Sequence, residues 1–174
     1  MLTLNFMLIL ITGASGSGKT TFLQAVAQQI PAQDVAMFHF DDAGVPSTQE
    51  MIKQYGSPEG WQKATTEAWL EKISKIADKK TVILEGSFNP NFAVNYAKQV
   101  GLTNYKLICL YADRSVRDKR LIELRKQPEL ATDDMENFAQ FLKMQTLALG
   151  GTVINSDATY LPAFISKIIT ETLT

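Results

Sequence analysis

Eight consecutive residues, Gly13-Ala14-Ser15-Gly16-Ser17-Gly18-Lys19-Thr20, carry the densest chemistry in the sequence. They satisfy every fixed position of G-x-x-x-x-G-K-[ST], a pattern whose residue types follow from the geometry of holding phosphate. Gly13, Gly16 and Gly18 permit a tight turn that brings backbone N–H groups against phosphate oxygens with no Cβ in between. Lys19 adds a mobile positive charge. Thr20 offers a hydroxyl to Mg²⁺ from the first turn of a helix whose N-terminus favours anions. Thr21 continues that turn, so residues 13–21 form the expected nucleotide-binding segment.

Three further groups have types suited to phosphate chemistry. Asp41 and Asp42 follow the apolar run ending in His39-Phe40, where one of them can take a proton from a substrate hydroxyl; Asp42 is the first choice of base. The other reading of this pair is the start of a turn into Ala43-Gly44, and which aspartate points inward stays open because strand neighbours face opposite ways. Glu85 ends Val82-Ile83-Leu84-Glu85, a position from which an acid reaches Mg²⁺ or its waters, or acts as the base. Residues 113–126 are crowded with cations, and Arg117 and Arg120, three apart, share a helix face. They form either a lid that neutralises a transferring phosphoryl group or one side of a solvated, ion-paired helix. His39, the only histidine, reads as structural, and the sequence has no cysteine–histidine cluster for zinc.

Holding these groups together requires strands that end level with one another. Short apolar runs at 6–12, 35–40, 81–85, 105–111 and 152–155 alternate with longer helical patterns, the signature of an α/β fold with a parallel sheet covered on both faces. In such sheets ligands bind beyond the carboxyl ends of the strands, where the acids above lie. The first helix runs from Gly18 to about Ile30, ahead of Pro31. Ser47-Thr48-Gln49-Glu50 is a capping box for a short helix ending near Gly56, and Ser57-Pro58 opens a long one. On it Trp61, Thr65, Trp69, Ile73 and Ile76 recur at helical spacing, which predicts core packing for both tryptophans. Further helices are expected from Asn89-Pro90 to Val100, from Asp113 or Ser115 to before Pro128, from Thr132 to Leu149, and from Leu161-Pro162 onward.

The 174 residues suit one domain, 1–174, with a short lid around 114–135. A net charge of -1, with no long basic run, argues against a nucleic-acid partner. The single cysteine, Cys109, lies in an apolar run and forbids an internal disulfide, which fits a cytoplasmic location. The apolar segment before the glycine-rich loop has no positive flank and reads as a strand, and no stretch approaches the ~20 apolar residues of a membrane span. The expected partners are a nucleotide and a small molecule, with no membrane, and the chain is expected to be a monomer or homodimer.

The loop at Gly13 to Thr20, the Asp41-Asp42 pair, Glu85, the Arg117/Arg120/Arg125 segment and Thr152-Val153-Ile154-Asn155-Ser156 together resemble the phosphate-loop kinases of the nucleoside monophosphate kinase-like group. The small single-domain shape is similar to AAA_33 proteins related to gluconate kinase, chloramphenicol phosphotransferase and zeta toxins. That resemblance implies a three-layer α/β/α P-loop NTPase fold with a five-stranded parallel sheet in order 2-3-1-4-5. It implies ATP as phosphoryl donor, Mg²⁺ held by Thr20 and Glu85, and an acceptor between the second-strand acids and the lid. It also implies adenine contacts at residues 155–158, Asn155 first, and an ATP-contacting role for Arg117. The activity it implies is transfer of the γ-phosphoryl group to a hydroxyl or phosphate of a small metabolite, nucleoside or nucleotide. A nucleotide-binding switch or adaptor with slow hydrolysis is the alternative. The chain lacks the N-K-x-D and L-S-G-G-Q signatures and the arginine-bearing acceptor signatures of adenylate, guanylate and shikimate kinases.

Overall fold

Runs of aliphatic residues with no polar face must be covered on both sides, and the chain arranges them as one parallel sheet. The computed structural model describes residues 7–29, 31–157, 166, 167 and 170. The strands are β1 (Leu8–Thr12), β2 (Val35–His39), β3 (Thr81–Gly86), β4 (Tyr105–Tyr111) and β5 (Thr152–Asn155), in spatial order β2-β3-β1-β4-β5. The helices are α1 (Lys19–Ala27), α2 (Thr48–Tyr55), α3 (Pro58–Ser74), α4 (Pro90–Gln99), α5 (Arg114–Lys119) and α6 (Asp133–Ala148). Fold class, strand number and strand order are those expected from the sequence.

Alternate residues of β1 to β4 feed the two larger cores. Leu8, Leu10, Val82 and Leu84 pack against Trp61, Trp69, Leu70 and Ile73 of α3 and Val94 of α4. Ile9, Ile11, Ile83 and Ile108 pack against Phe22, Leu23 and Val26 of α1 on the opposite face. Each such fully buried aliphatic side chain contributes about 1.5–3 kcal/mol. Both tryptophans are core-facing, as their spacing predicts, and the Trp69 indole N–H donates to the Phe40 carbonyl at 3.1 Å.

Register sets the strand ends level. His39 pairs with Glu85, Thr12 with both Gly86 and Cys109, and Tyr111 with Asn155. After β2 the chain enters a 3-10 turn, Phe40–Ala43, seated on Gly86: a Cβ there would lie 2.3 Å from the Phe40 Cβ. Glycine at 86 thus lets the Asp41-Asp42 turn sit close above β3.

Local capping follows the sequence. Ser47 and Glu50 make the capping box of α2, Ser57 accepts from the Gly60 N–H, and Thr132 from the Met135 N–H. The segment after Asp113 differs from the single helix expected: α5 gives way to one π turn, Arg120–Leu124, and the chain then reverses through Lys126 at φ 55°. Asp113 precedes α5, but its side chain makes no capping bond. α1 ends at Ala27, earlier than expected. Of the expected closing helix only Ser166, Lys167 and Thr170 are described, and they are helical; its start at Leu161-Pro162 lies outside the described residues. No helix among the described residues is long and apolar enough to cross a membrane.

Candidate active site

The glycine-rich loop joins β1 to α1, and its shape depends on missing side chains. A Cβ on Gly13 would lie 2.5 Å from the Leu110 carbonyl oxygen. Gly16 combines φ +81° with the Arg117 stem behind it, 2.7 Å from where a Cβ would stand. Gly18 is the N-cap of α1, and no side chain caps that helix. The N–H groups of the first turn, from Lys19 to Thr21, therefore have no acceptor within the helix and carry its positive end. They face a cavity of about 620 Å³ lined by Gly16, Gly18, Lys19, Thr20, Thr21, Arg120, Leu124, Arg125 and Ser156.

The Lys19 ammonium bonds the carbonyl oxygens of Gly13 (2.8 Å) and Ala14 (3.1 Å) and the Ser87 hydroxyl (3.3 Å). Burial pulls its pKa down, opposed by the charges of Glu85 and Asp41. Ser87 donates onward to the Gly13 carbonyl at 2.9 Å, tying the end of β3 to the loop. Gln62 of α3 clamps this corner: its amide N–H donates to the Ser87 carbonyl and its oxygen accepts the Asn89 N–H, each at 3.0 Å. Gln62 carries no signal in the linear sequence; only the packing of α3 brings it here.

The acids separate in space. Glu85 is buried, and one carboxylate oxygen lies 2.5 Å from His39 Nδ1. The lone histidine thus positions the acid expected at the metal. Asp41 is the aspartate whose charge reaches Lys19. Asp42, the expected first choice of base, instead lines a second pocket between the 3-10 turn and α3.

The arginines separate as well. Arg120 lines the cavity and donates to the Gly16 carbonyl (3.2 Å), the Ser156 hydroxyl (3.0 Å) and the Ser156 carbonyl (3.1 Å), joining the glycine-rich loop to the segment after β5. Arg125 lines the same cavity and is exposed. Arg117, expected beside Arg120 on a lid face, does not line it. Its side chain is 1% exposed, lies beneath Gly16, and its guanidinium pairs with Glu136 of α6 at 2.6 Å. The cause is that the arginine stem packs directly behind Gly16, where no Cβ stands in its way, and that α6 supplies a carboxylate for its guanidinium. Glu136 also accepts from Gln140, which donates in turn to the Tyr111 hydroxyl. The Asn155 side chain accepts the Asp157 N–H at 2.8 Å, so it shapes its own turn; Ala158, the end of the expected adenine-contacting segment, lies outside the described residues.

The residues present fit a polyphosphate: an uncapped helix N-terminus, a lysine and two arginines converge on one cavity. They fit Mg²⁺ only in company with such a group. Among the described residues no three His, Cys, Asp or Glu side chains cluster to hold a metal; Thr20 lines the cavity and Glu85 is buried beside His39, a hydroxyl and a carboxylate of the types that Mg²⁺ takes when phosphates and waters complete its shell.

Fold and site together define a phosphate-loop protein of kinase-like architecture. The chain belongs to the AAA_18 family of AAA domains, whose model matches residues 9–140. No curated protein matches it in sequence. Among solved structures it is similar to a shikimate kinase from Acinetobacter baumannii in complex with shikimate (14% identity, TM-score 0.60, 95% of this chain and 91% of that one). It is also similar to a gluconokinase from Sinorhizobium meliloti 1021 (15%, 0.64, 97% and 90%) and a sugar kinase from Janibacter sp. HTCC2649 (18%, 0.60, 94% and 92%). At these identities the likeness establishes the fold.

Proposed function

We propose that this protein is an ATP-dependent phosphotransferase that moves the γ-phosphoryl group to a hydroxyl of a small acceptor. The observation that carries this reading is the cavity at the α1 N-terminus, where backbone N–H groups, Lys19, Arg120 and Arg125 meet, with the charge of Asp41 acting on Lys19. Residues 13–21 hold the phosphates, the N–H groups of the first turn bind their oxygens, and Lys19 leaves its loop carbonyls to follow the γ-phosphate. Thr20 and Glu85 would hold Mg²⁺, with His39 fixing the carboxylate, and the bound ion would supply neutralisation of charge on the phosphate oxygens. Asn155 and Ser156 border the nucleoside side. Arg117 acts from behind, keeping Gly16 in place.

The work left to the chain is positioning and charge stabilisation. Asp41 orients the acceptor hydroxyl and takes its proton as the oxygen bonds to the γ-phosphorus; the bond from that phosphorus to the bridging oxygen breaks, and ADP leaves with the electron pair. Arg120 and Arg125 stabilise the charge spread over the transferring group. Of the two aspartates Asp41 is preferred because its charge acts on Lys19. Asp41→Asn is expected to keep ATP affinity and lose transfer by on the order of a hundredfold or more. Transfer retained in Asp41→Asn and lost in Asp42→Asn would move the role to Asp42.

A further inference from the structure

The pocket lined by Asp42 has a volume of about 490 Å³ and lies between the 3-10 turn with α2 and the edge of α3 where the core-facing tryptophans reach the surface. Its walls are aromatic and small: Tyr55, Trp61 and Trp69 stand among three alanines. Only two charges line it, Asp42 and Lys72. The Lys72 ammonium is drawn to the wall, 4.8 Å from the Trp69 ring centroid and 4.9 Å from that of Phe38. No arginine lines it. The start of α3 ties the pocket to the phosphate loop: the Lys19 ammonium bonds the Ser87 hydroxyl, Gln62 bonds the Ser87 carbonyl, and the neighbouring Trp61 lines the pocket.

Sites that capture phosphate or carboxylate use arginine forks or several cations, because an anion leaving water for an apolar wall needs that compensation. Here an anion would meet Asp42 and aromatic walls, with one lysine already engaged by two rings. A ring with a neutral or cationic substituent meets what it needs: apolar and aromatic surface for the ring, a carboxylate for the cation. Exclusion of the anion is as much a part of such selectivity as attraction of the cation. We propose that this pocket holds the body of the acceptor, and that the acceptor is a ring-bearing alcohol that is uncharged or cationic, to the exclusion of phosphorylated and carboxylated alcohols. The inference rests on the kinase reading above for the word acceptor, but the binding selectivity stands apart from it.

Both tryptophans of the chain line this pocket, so intrinsic fluorescence reports directly on it. Three probes share a ring and a benzylic hydroxyl: 2-amino-1-phenylethanol, 1-phenyl-1,2-ethanediol and mandelate. Titrating each without ATP is expected to give at least tenfold tighter binding of the amine and the diol than of mandelate. Asp42→Asn is expected to reduce the amine to the level of the diol. Ala68→Phe, on an exposed position of the wall, is expected to abolish quenching while nucleotide-dependent thermal stabilisation persists. Equal or tighter binding of mandelate, or no saturable quenching by any probe, overturns the inference. Labelled transfer from ATP then separates the two ideas: phosphorylation of an acidic acceptor refutes the selectivity and leaves the kinase standing, whereas selective probe binding with no transfer to any alcohol refutes the kinase and leaves the pocket.

Discussion

Replacing Glu136 by glutamine tests the claim that Arg117 is a strut beneath the phosphate loop. The Arg117 side chain is 1% exposed, and its only charged partner among the described residues is Glu136, itself 20% exposed, at 2.6 Å. The remaining contact is a 3.4 Å bond to the Ala112 carbonyl, and the Arg117 Nε has no partner. Removing one member of a buried pair strands the other charge at a cost of about 3–5 kcal/mol, and the partial exposure of Glu136 places the expected loss near the lower end, about 3 kcal/mol. In a domain of this size each kcal/mol moves Tm by about 2–4 °C, so Glu136→Gln is expected to melt about 6–12 °C lower. The pH dependence gives a second signature. Arg117, and after it Gln140, hold the Glu136 carboxyl below the usual carboxylate range. A group depressed in the folded state stabilises fully above its unfolded pKa, about 4.3 for glutamate, and that stabilisation fades as pH falls through the folded value. The Tm gap between wild type and variant should therefore narrow from pH 7 toward pH 3. A gap under about 2 °C at pH 7, or one unchanged by acid, would refute the strut. A lid arginine would leave Tm alone and alter only turnover.

The other predictions concern the loop and the core. Lys19→Ala is expected to abolish nucleotide-dependent thermal stabilisation, which in the wild type at a hundredfold excess over Kd amounts to about 2.7 kcal/mol; stabilisation equal to wild type in differential scanning fluorimetry removes Lys19 from the phosphate site. Cys109 is buried, and desolvation pushes its thiol up to about 11, so the native protein should resist alkylation by iodoacetamide at pH 8 and react only on unfolding. Labelling of folded protein within minutes, followed by mass spectrometry, would contradict that burial.

Much of the fold was legible because local signals agreed. Residues 105–111 and 152–155 became strands within the bounds read from their aliphatic and aromatic content, and Ser47, Ser57 and Thr132 cap the helices they were expected to start. The phosphate loop was legible because its eight residues are contiguous. What the sequence left open are directions in space. Spacing puts Arg117 and Arg120 on one side of a helix, yet only the packing of α6 decides that one guanidinium turns inward to Glu136 and the other to Gly16. Of the adjacent aspartates only Asp42 lines the pocket against α3, and the 3-10 turn that carries both rests on Gly86, a contact between residues far apart in sequence. The same holds for His39, whose bond to Glu85 follows from strand register, and for Gln62, whose clamp depends on how α3 docks.

The most direct test of phosphoryl transfer is incubation of the protein with Mg²⁺ and γ-labelled ATP against a panel of nucleosides, nucleotides, sugars, sugar acids and ring-bearing amino alcohols, with Lys19→Ala as the blank. Label is expected on one acceptor class and absent from the blank. Slow release of free phosphate across the whole panel, with no labelled acceptor, would contradict it and favour a nucleotide-dependent switch.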